Sequence, residues 1–351
     1  MNAALTIPGS QRSQLGISLL ELMISMTIGL FLLAGLVAVY VNSAQSSVEL
    51  NKAAQQIENG RFAMQSIADD LRHAGYYGQY YEIVAPTAVG LPAPCDYGAS
   101  GAPYAGLKEA LLVPIQGYGA WDAALSTCLP AANHKSGTDI LVIRRADTNI
   151  TTAGNFEIGR LYVQTNANAA DGNNPWVRAA TSTAGTLGTG NTFSLLDKSS
   201  QPGPVRKLHV HIYFVSPCSK PLVCTGTSTD DGIPTLKRME LINGGFNVVP
   251  IAEGIENLQF DYGVDTDNDG APEAPFIEAP ATPQDWANVV AVNVNLVARN
   301  VEQTAGYSDS KTYQVGEFTS WTPSGADLAF KRHAYNELVR IVNVSGRREI
   351  P

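Results

Sequence analysis

Between Ile17 and Val41 the chain is apolar, small or hydroxyl-bearing at every position but one, and the exception is an acid, Glu21. As a helix rising about 1.5 Å per residue this run is long enough to cross a hydrocarbon core of roughly 30 Å. A carboxylate in such a helix costs about 2.5 to 3.5 kcal/mol at the bilayer centre and less near the interface, so it is normally retained because something pairs with it. The run itself holds no Lys or Arg. If the chain were cut after Gly16, however, the new α-amino group of Ile17 would stand close to one helical turn before Glu21. Glu21 would then meet its own amine or, across a packed bundle, a neighbour's.

Gly16, Ile17 and Glu21 resemble, position by position, the type IV pilin class. In that class the leader ends in Gly, the mature chain begins with an apolar residue and its fifth residue is Glu. The resemblance implies a prepilin leader over residues 1–16. It further implies cleavage at Gly16/Ile17 and N-methylation of Ile17 by a prepilin peptidase in the inner membrane, and a role for Glu21 in registering the helix during assembly. Ile17 and Ser18 stand where the common version has Phe and Thr. A conventional secretory signal cut near residues 41–43 fits less well, because its apolar stretch runs only about 7 to 15 residues. A plain anchor with residues 1–15 as a cytoplasmic tail is the other reading.

Past Val41 the helical pattern continues. Leu50, Ala54, Ile57, Met64, Ala68 and Leu71 recur at three- and four-residue steps, while Glu49, Lys52, Gln56, Glu58, Gln65 and Asp69 fall elsewhere. Residues 42–75 therefore read as an amphipathic continuation ending near Gly75. The first half, 17–41, is suited to lipid or to other helices; the second has one stripe, suited to the chain's own domain. Gly60 is a soft point, at a cost of about 1 kcal/mol.

Beyond Gly75 the signal turns to strands. Residues 289–296 alternate apolar and polar, with Val290, Val292, Val294 and Leu296 on one face and Asn293 and Asn295 on the other. Further strand candidates are 139–144, 205–215, 258–262 and 338–344, separated by Gly-, Ala-, Pro- and Asn-rich stretches at 91–104, 166–192 and 271–283. With no regular helices between strands, an α+β fold is expected: a long N-terminal helix packed on an antiparallel sheet domain, 76–351, with long loops.

A chain of 351 residues with 44% hydrophobic and 16% charged residues can bury a full core. Its net charge of −9 argues against a nucleic-acid partner, whose phosphates need clustered Lys and Arg. Cys95, Cys128, Cys218 and Cys224 all follow the apolar run and show no C-x-x-C spacing. In an oxidising compartment the simplest pairing is Cys95 with Cys128 and Cys218 with Cys224, the other connectivities staying open. Asp265, Asp267 and Asp269 alternate before Gly270, as short loops do when they gather hard oxygen ligands for calcium, with Glu273 as a fourth candidate. The twelfth position of an EF-hand supplies a Glu; here it is Phe276. Calcium is thus a candidate ligand and no cofactor is required. No hydrolase elbow, zinc pair, phosphate loop or dinucleotide fingerprint is present, and His209 with His211 lack a third ligand, so the chain does not read as an enzyme.

Residues 70–78 at the helix exit, 253–265 ahead of the Asp-rich loop, the strand at 289–299 and the closing strand at 338–344 resemble the PilW family of minor pilins. The resemblance implies a non-enzymatic, low-abundance subunit that helps prime pilus assembly or caps its tip. Implied partners are the prepilin peptidase, other minor and major pilins, the inner-membrane assembly platform and the membrane itself. The implied location is the inner membrane with the domain in the periplasm, or the extracellular pilus. A minor pseudopilin of a type II secretion system uses the same leader, but its large tip subunit characteristically lacks the Glu found here as Glu21. A membrane-anchored periplasmic protein of other function is the remaining alternative.

Overall fold

A computed structural model describes residues 16, 18–80, 85–97, 106–152, 154–166, 177–183, 186–187, 193–220, 224–225 and 230–349. Contacts divide the chain into two units, Met1–Asn51 and Lys52–Pro351. Helix α1, Leu19–His73, belongs to both. Within the first unit its apolar side chains, Leu30, Phe31, Leu36 and Tyr40 among them, are exposed. By length and composition this helix can cross a membrane.

The second unit is mixed α and β, and among the described residues its strand pairs are antiparallel. Strands β1 (Ile115–Tyr118), β2 (Ile140–Ala146), β3 (Leu161–Thr165), β4 (Val177–Thr183), β5 (Thr186–Leu187) and β6 (Val205–Ser216) share a sheet in the order β1-β2-β6-β3-β4-β5. β7 (Thr235–Ile242) also joins β6, and β8 (Gly245–Glu253) joins β7. A second sheet runs β13-β10-β9, from β9 (Ile255–Val264), β10 (Val289–Arg299) and β13 (Arg332–Arg340). β11 (Tyr313–Val315) and β12 (Thr319–Trp321) form a small hairpin. Among the described residues the short α-helices of the unit are α2 (Leu107–Leu112), α3 (Pro283–Ala287) and α4 (Val342–Arg348).

Strand alternation decides which core each side chain enters. Leu141, Ile143, Tyr213 and Val215 face one cluster with Val290, Val292, Val294 and Leu296, and residues Ala63, Met64, Ile67, Ala68 and Leu71 of α1 fill it. Ile140, Val142, Val210, Ile212 and Phe214 face the opposite cluster, capped by Leu107 and Leu111 of α2 and by Tyr77. Each such aliphatic side chain contributes about 1.5 to 3 kcal/mol on full burial, which is what holds 63–71 against the sheets.

Four expectations need correction. The stretch 166–192, expected as a connecting loop, holds β4 and β5, because β4 pairs along β3 from Leu161 to Thr165. The closing strand is β13, Arg332–Arg340, and residues from Val342 on form α4 instead of strand to 344. Ile341 gives its N–H to Val290 O, which ends the pairing, and Val344 and Ser345 then bury on the helical turn. The helix stripe is as expected at Met64, Ala68 and Leu71 but differs before them: Leu50 and Ile57 are exposed, while Gln56 is buried with its amide donating to Ala298 O at 2.8 Å and Lys331 O at 3.0 Å. Gly60 is a contact point, since a Cβ there would lie 2.4 Å from the Tyr335 ring.

Candidate functional site

At the N-terminal end Gly16 is described and has open space around it, whereas Ile17 lies outside the described residues. Glu21 sits in the first turn of α1 with its side chain exposed, and its carbonyl accepts from Ser25 Oγ at 2.7 Å. A carboxylate on the first turn faces the unpaired N–H groups of the helix start, a position that favours negative charge.

The Asp-rich loop follows β9. One carboxylate oxygen each from Asp265, Asp267 and Asp269 lies within 4.8 Å of the others, so the sequence spacing does bring the three together. Asp265 is fully buried, and its two oxygens accept from Asn268 N at 2.6 Å and Gly270 N at 3.0 Å. Arg348 of α4 reaches the same carboxylate at 3.5 Å and Asn268 Oδ1 at 2.9 Å. Glu273 does not join the three; it accepts from Thr266 N at 2.9 Å. The three aspartates fit a hard cation in donor type, but Asp265 already serves as the keystone of the loop. Only Asp267 and Asp269 present exposed carboxylates. The pairing of Arg348 with Asp265 has no signal in the sequence, because nothing local marks an arginine so far along the chain as its partner.

The cysteines are joined as Cys95–Cys128 and Cys218–Cys224. His209 and His211 face the same way, ring centroids 5.4 Å apart, but each has its own carboxylate: Asp147 at 3.2 Å for His209 and Asp70 at 2.5 Å for His211. Asp70 also accepts from Tyr213 Oη at 2.5 Å and pairs with Arg145 Nε at 2.9 Å. Burial opposes its charge, yet His211, Arg145 and Tyr213 together hold it well below the usual carboxylate range. This polar knot fastens the end of α1 to β2 and β6. Its signal was available: Asp70 falls three residues after Ile67 and beside Leu71, on the apolar stripe.

Asp139 was not singled out either. It precedes β2, takes Phe260 N onto its carboxylate at 2.9 Å and gives its own N–H to Leu258 O at 2.9 Å, so it stitches the large sheet to β9. Burial pushes its carboxyl up to about 7, and the nearby Glu278 and Asp261 charges add to the effect.

Residues 11–37 match the family described as the prokaryotic N-terminal methylation motif, and residues 213–343 match the one described as Type IV Pilus-assembly protein W. Over these residues the chain resembles a type IV pilin with a PilW domain. The first match spans Gly16, Ile17 and Glu21; the second runs from β6 to the first turn of α4 and includes the Asp-rich loop. A type IV-like pilin from Thermus thermophilus is a structural neighbour at 14% identity, covering 38% of this chain and 79% of that one, with a TM-score of 0.18. At that score the likeness carries no argument. Among curated proteins, none matches the chain.

Proposed function

We propose that the chain is a minor pilin-like subunit that takes part in type IV pilus assembly, in a priming or tip complex. The observation that carries the reading is the methylation-motif match laid over an apolar run, residues 17–41, whose one charge is Glu21. In this reading the prepilin peptidase cleaves between Gly16 and Ile17 and the inner membrane holds α1. The domain stands in the periplasm, where its two disulfides are stable, and partner pilins pack on the apolar helix. The PilW domain supports a role in assembly. The bulk of residues 52–351 supports a capping or initiating subunit over a repeating one.

Glu21→Ala tests the reading. The variant should insert into the membrane and be processed, because it removes a charge from an apolar helix, yet it should fail to recruit partners or support piliation. Normal piliation with this variant would contradict the role given to Glu21. No catalytic activity belongs to the proposal. Calcium enters it only as an accessory ligand of Asp267 and Asp269: it should raise the melting temperature, and Asp267→Asn with Asp269→Asn should abolish the rise. No rise in the unaltered chain would remove calcium from the account and leave the assembly role intact.

A further inference from the structure

The alternation that sends Val290, Val292, Val294 and Leu296 of β10 into the core leaves Asn293 and Asn295 on the other face of the sheet β13-β10-β9. Asn336 of β13 stands opposite Asn295, and Asp261 of β9 stands opposite Asn293. One face of three strands thus carries a polar ladder, and Asp261 and Asn295 are buried within it. The β11–β12 hairpin covers this part of the ladder. Its turn comes so close that a Cβ on Gly316 would lie 2.9 Å from both carboxylate oxygens of Asp261.

The ladder has a fixed polarity. A carboxylate only accepts, whereas a side-chain amide has one accepting and one donating end. Asp261 Oδ2 accepts from Asn293 Nδ2 at 3.0 Å, from Asn295 Nδ2 at 3.1 Å and from the main-chain N–H of Glu317 at 3.1 Å. With their NH2 groups turned to Asp261, Asn293 and Asn295 offer their oxygens on the other side, and Asn336 Nδ2 donates to both. Both amide hydrogens of Asn336 are then committed, so the outward end of the ladder is the acceptor Asn336 Oδ1. Gln314 repeats the pattern, its Nε2 donating to Gly316 O at 2.8 Å and its oxygen left over.

A cleft of about 360 Å³ is lined by Asn293, Asn295 and Asn336 on the sheet side and by Gln314, Gly316 and Glu317 on the hairpin side. That volume falls within the roughly 300 to 1,000 Å³ of small-ligand sites. The side-chain groups left to a ligand are all acceptors: Asn336 Oδ1, Gln314 Oε1 and the exposed Glu317 carboxylate. No cation answers them. An Asp buried as deeply as Asp261 is normally paired, yet it receives only neutral donors, and Glu317 has no Lys or Arg partner among the described residues.

We propose that this cleft is a binding site for a guanidinium group. Guanidinium carries five N–H donors and no acceptor, so it matches a wall of acceptors without leaving a polar atom unanswered. Its charge supplies what Asp261 and Glu317 lack. The acceptors are spread over a strand and a hairpin, which suits a planar fork better than the compact ammonium of a lysine. A sugar, whose hydroxyls accept as well as donate, meets no uncommitted side-chain donor among these groups. The group can belong to a free arginine-like molecule or to an arginine of another protein, and the recognition chemistry is the same. The inference is independent of the pilus-assembly reading.

Calorimetric titration of the full-length chain in detergent micelles tests it, with free arginine and a Gly-Arg-Gly peptide blocked at both ends as the two probes. The expected result is saturable binding of an arginine probe, weaker binding of its lysine counterpart and none of glucose. Tighter binding of the peptide assigns the group to a protein arginine, and tighter binding of free arginine assigns it to a small molecule; either supports the site. Glu317→Gln removes the exposed charge and should weaken binding about ten-fold, while Gln314→Glu adds one and should strengthen it by a similar factor. A gain in Gln314→Glu cannot come from a general loss of structure. No saturable binding of either arginine probe, glucose bound as well as arginine, or an affinity that neither variant moves would each overturn the proposal. Piliation does not enter this readout, so the site and the assembly role fail separately.

Discussion

At the scale of single residues, the informative groups in the domain are buried carboxylates, and their environments push them in opposite directions. Asp139 has its carboxyl raised by burial from 3.8 to about 7. A raised folded-state value means that the protonated form is favoured on folding, so this contribution to stability is complete below about 4 and is lost as pH rises through 7. Each pKa unit corresponds to about 1.4 kcal/mol, which makes the effect a few kcal/mol. Asp139→Asn keeps the acceptor for Phe260 N and removes the charge, so it should stabilise the chain at pH 8 and flatten its stability between pH 4 and 7. Denaturant melts across that range check this, and an unchanged slope would contradict it. Asp70 has the reverse sign: its partners lower it, so its contribution is present above about 4 and fades in acid. Asp139 did not stand out in the sequence, where an Asp beside a strand looks like an ordinary surface acid; Asp70 could have been found from its place on the apolar stripe of α1. The aspartates at 265, 267 and 269 were legible because alternation before a glycine is a local pattern. Arg348 was not, because its partnership with Asp265 is purely tertiary.

At the scale of elements, what the sequence showed depends on how each element is buried. β10 was readable because alternate residues enter the core while Asn293 and Asn295 do not share it, and α1 because its apolar run is long. β7 and β8 were not read as strands: β7 mixes buried Lys237 and Met239 with half-buried Arg238 and Glu240, and β8 is largely uncovered. The connection between β8 and β9 is more constrained than its length suggests. Gly254 adopts φ +78° and its N–H and C=O bond Pro234 O and Arg299 N, each at 2.7 Å; a Cβ there would lie 2.5 Å from Arg299 O. The obstacle is backbone, held by β10, so it cannot swing aside. Gly254→Ala should therefore destabilise the domain by about 2 kcal/mol or more, from left-handed backbone strain plus overpacking. A calorimetric or denaturant measurement decides, and a change below about 0.5 kcal/mol, the range of ordinary surface substitutions, would contradict the packing described.

At the scale of the whole molecule, the chain combines an apolar run, residues 17–41, bearing a single acid with a disulfide-bonded, antiparallel-sheet unit that carries the PilW match. The fold class was legible throughout, since a membrane-length apolar run and alternating strands with no long helical pattern between them leave few architectures. The order of strands within each sheet was not, because it is fixed by long-range pairing such as β10 with β13 that no local signal encodes. The central claim, that this chain is matured and assembled as a pilin, depends on the bond between Gly16 and Ile17. Its most direct test is the intact mass and N-terminal sequence of the protein recovered from membranes of cells with and without the prepilin peptidase. The account predicts a mature chain beginning at N-methylated Ile17 only when the peptidase is present, and no such chain from Gly16→Leu. A chain that stays uncleaved in both backgrounds, or one cut near residue 43, would contradict it.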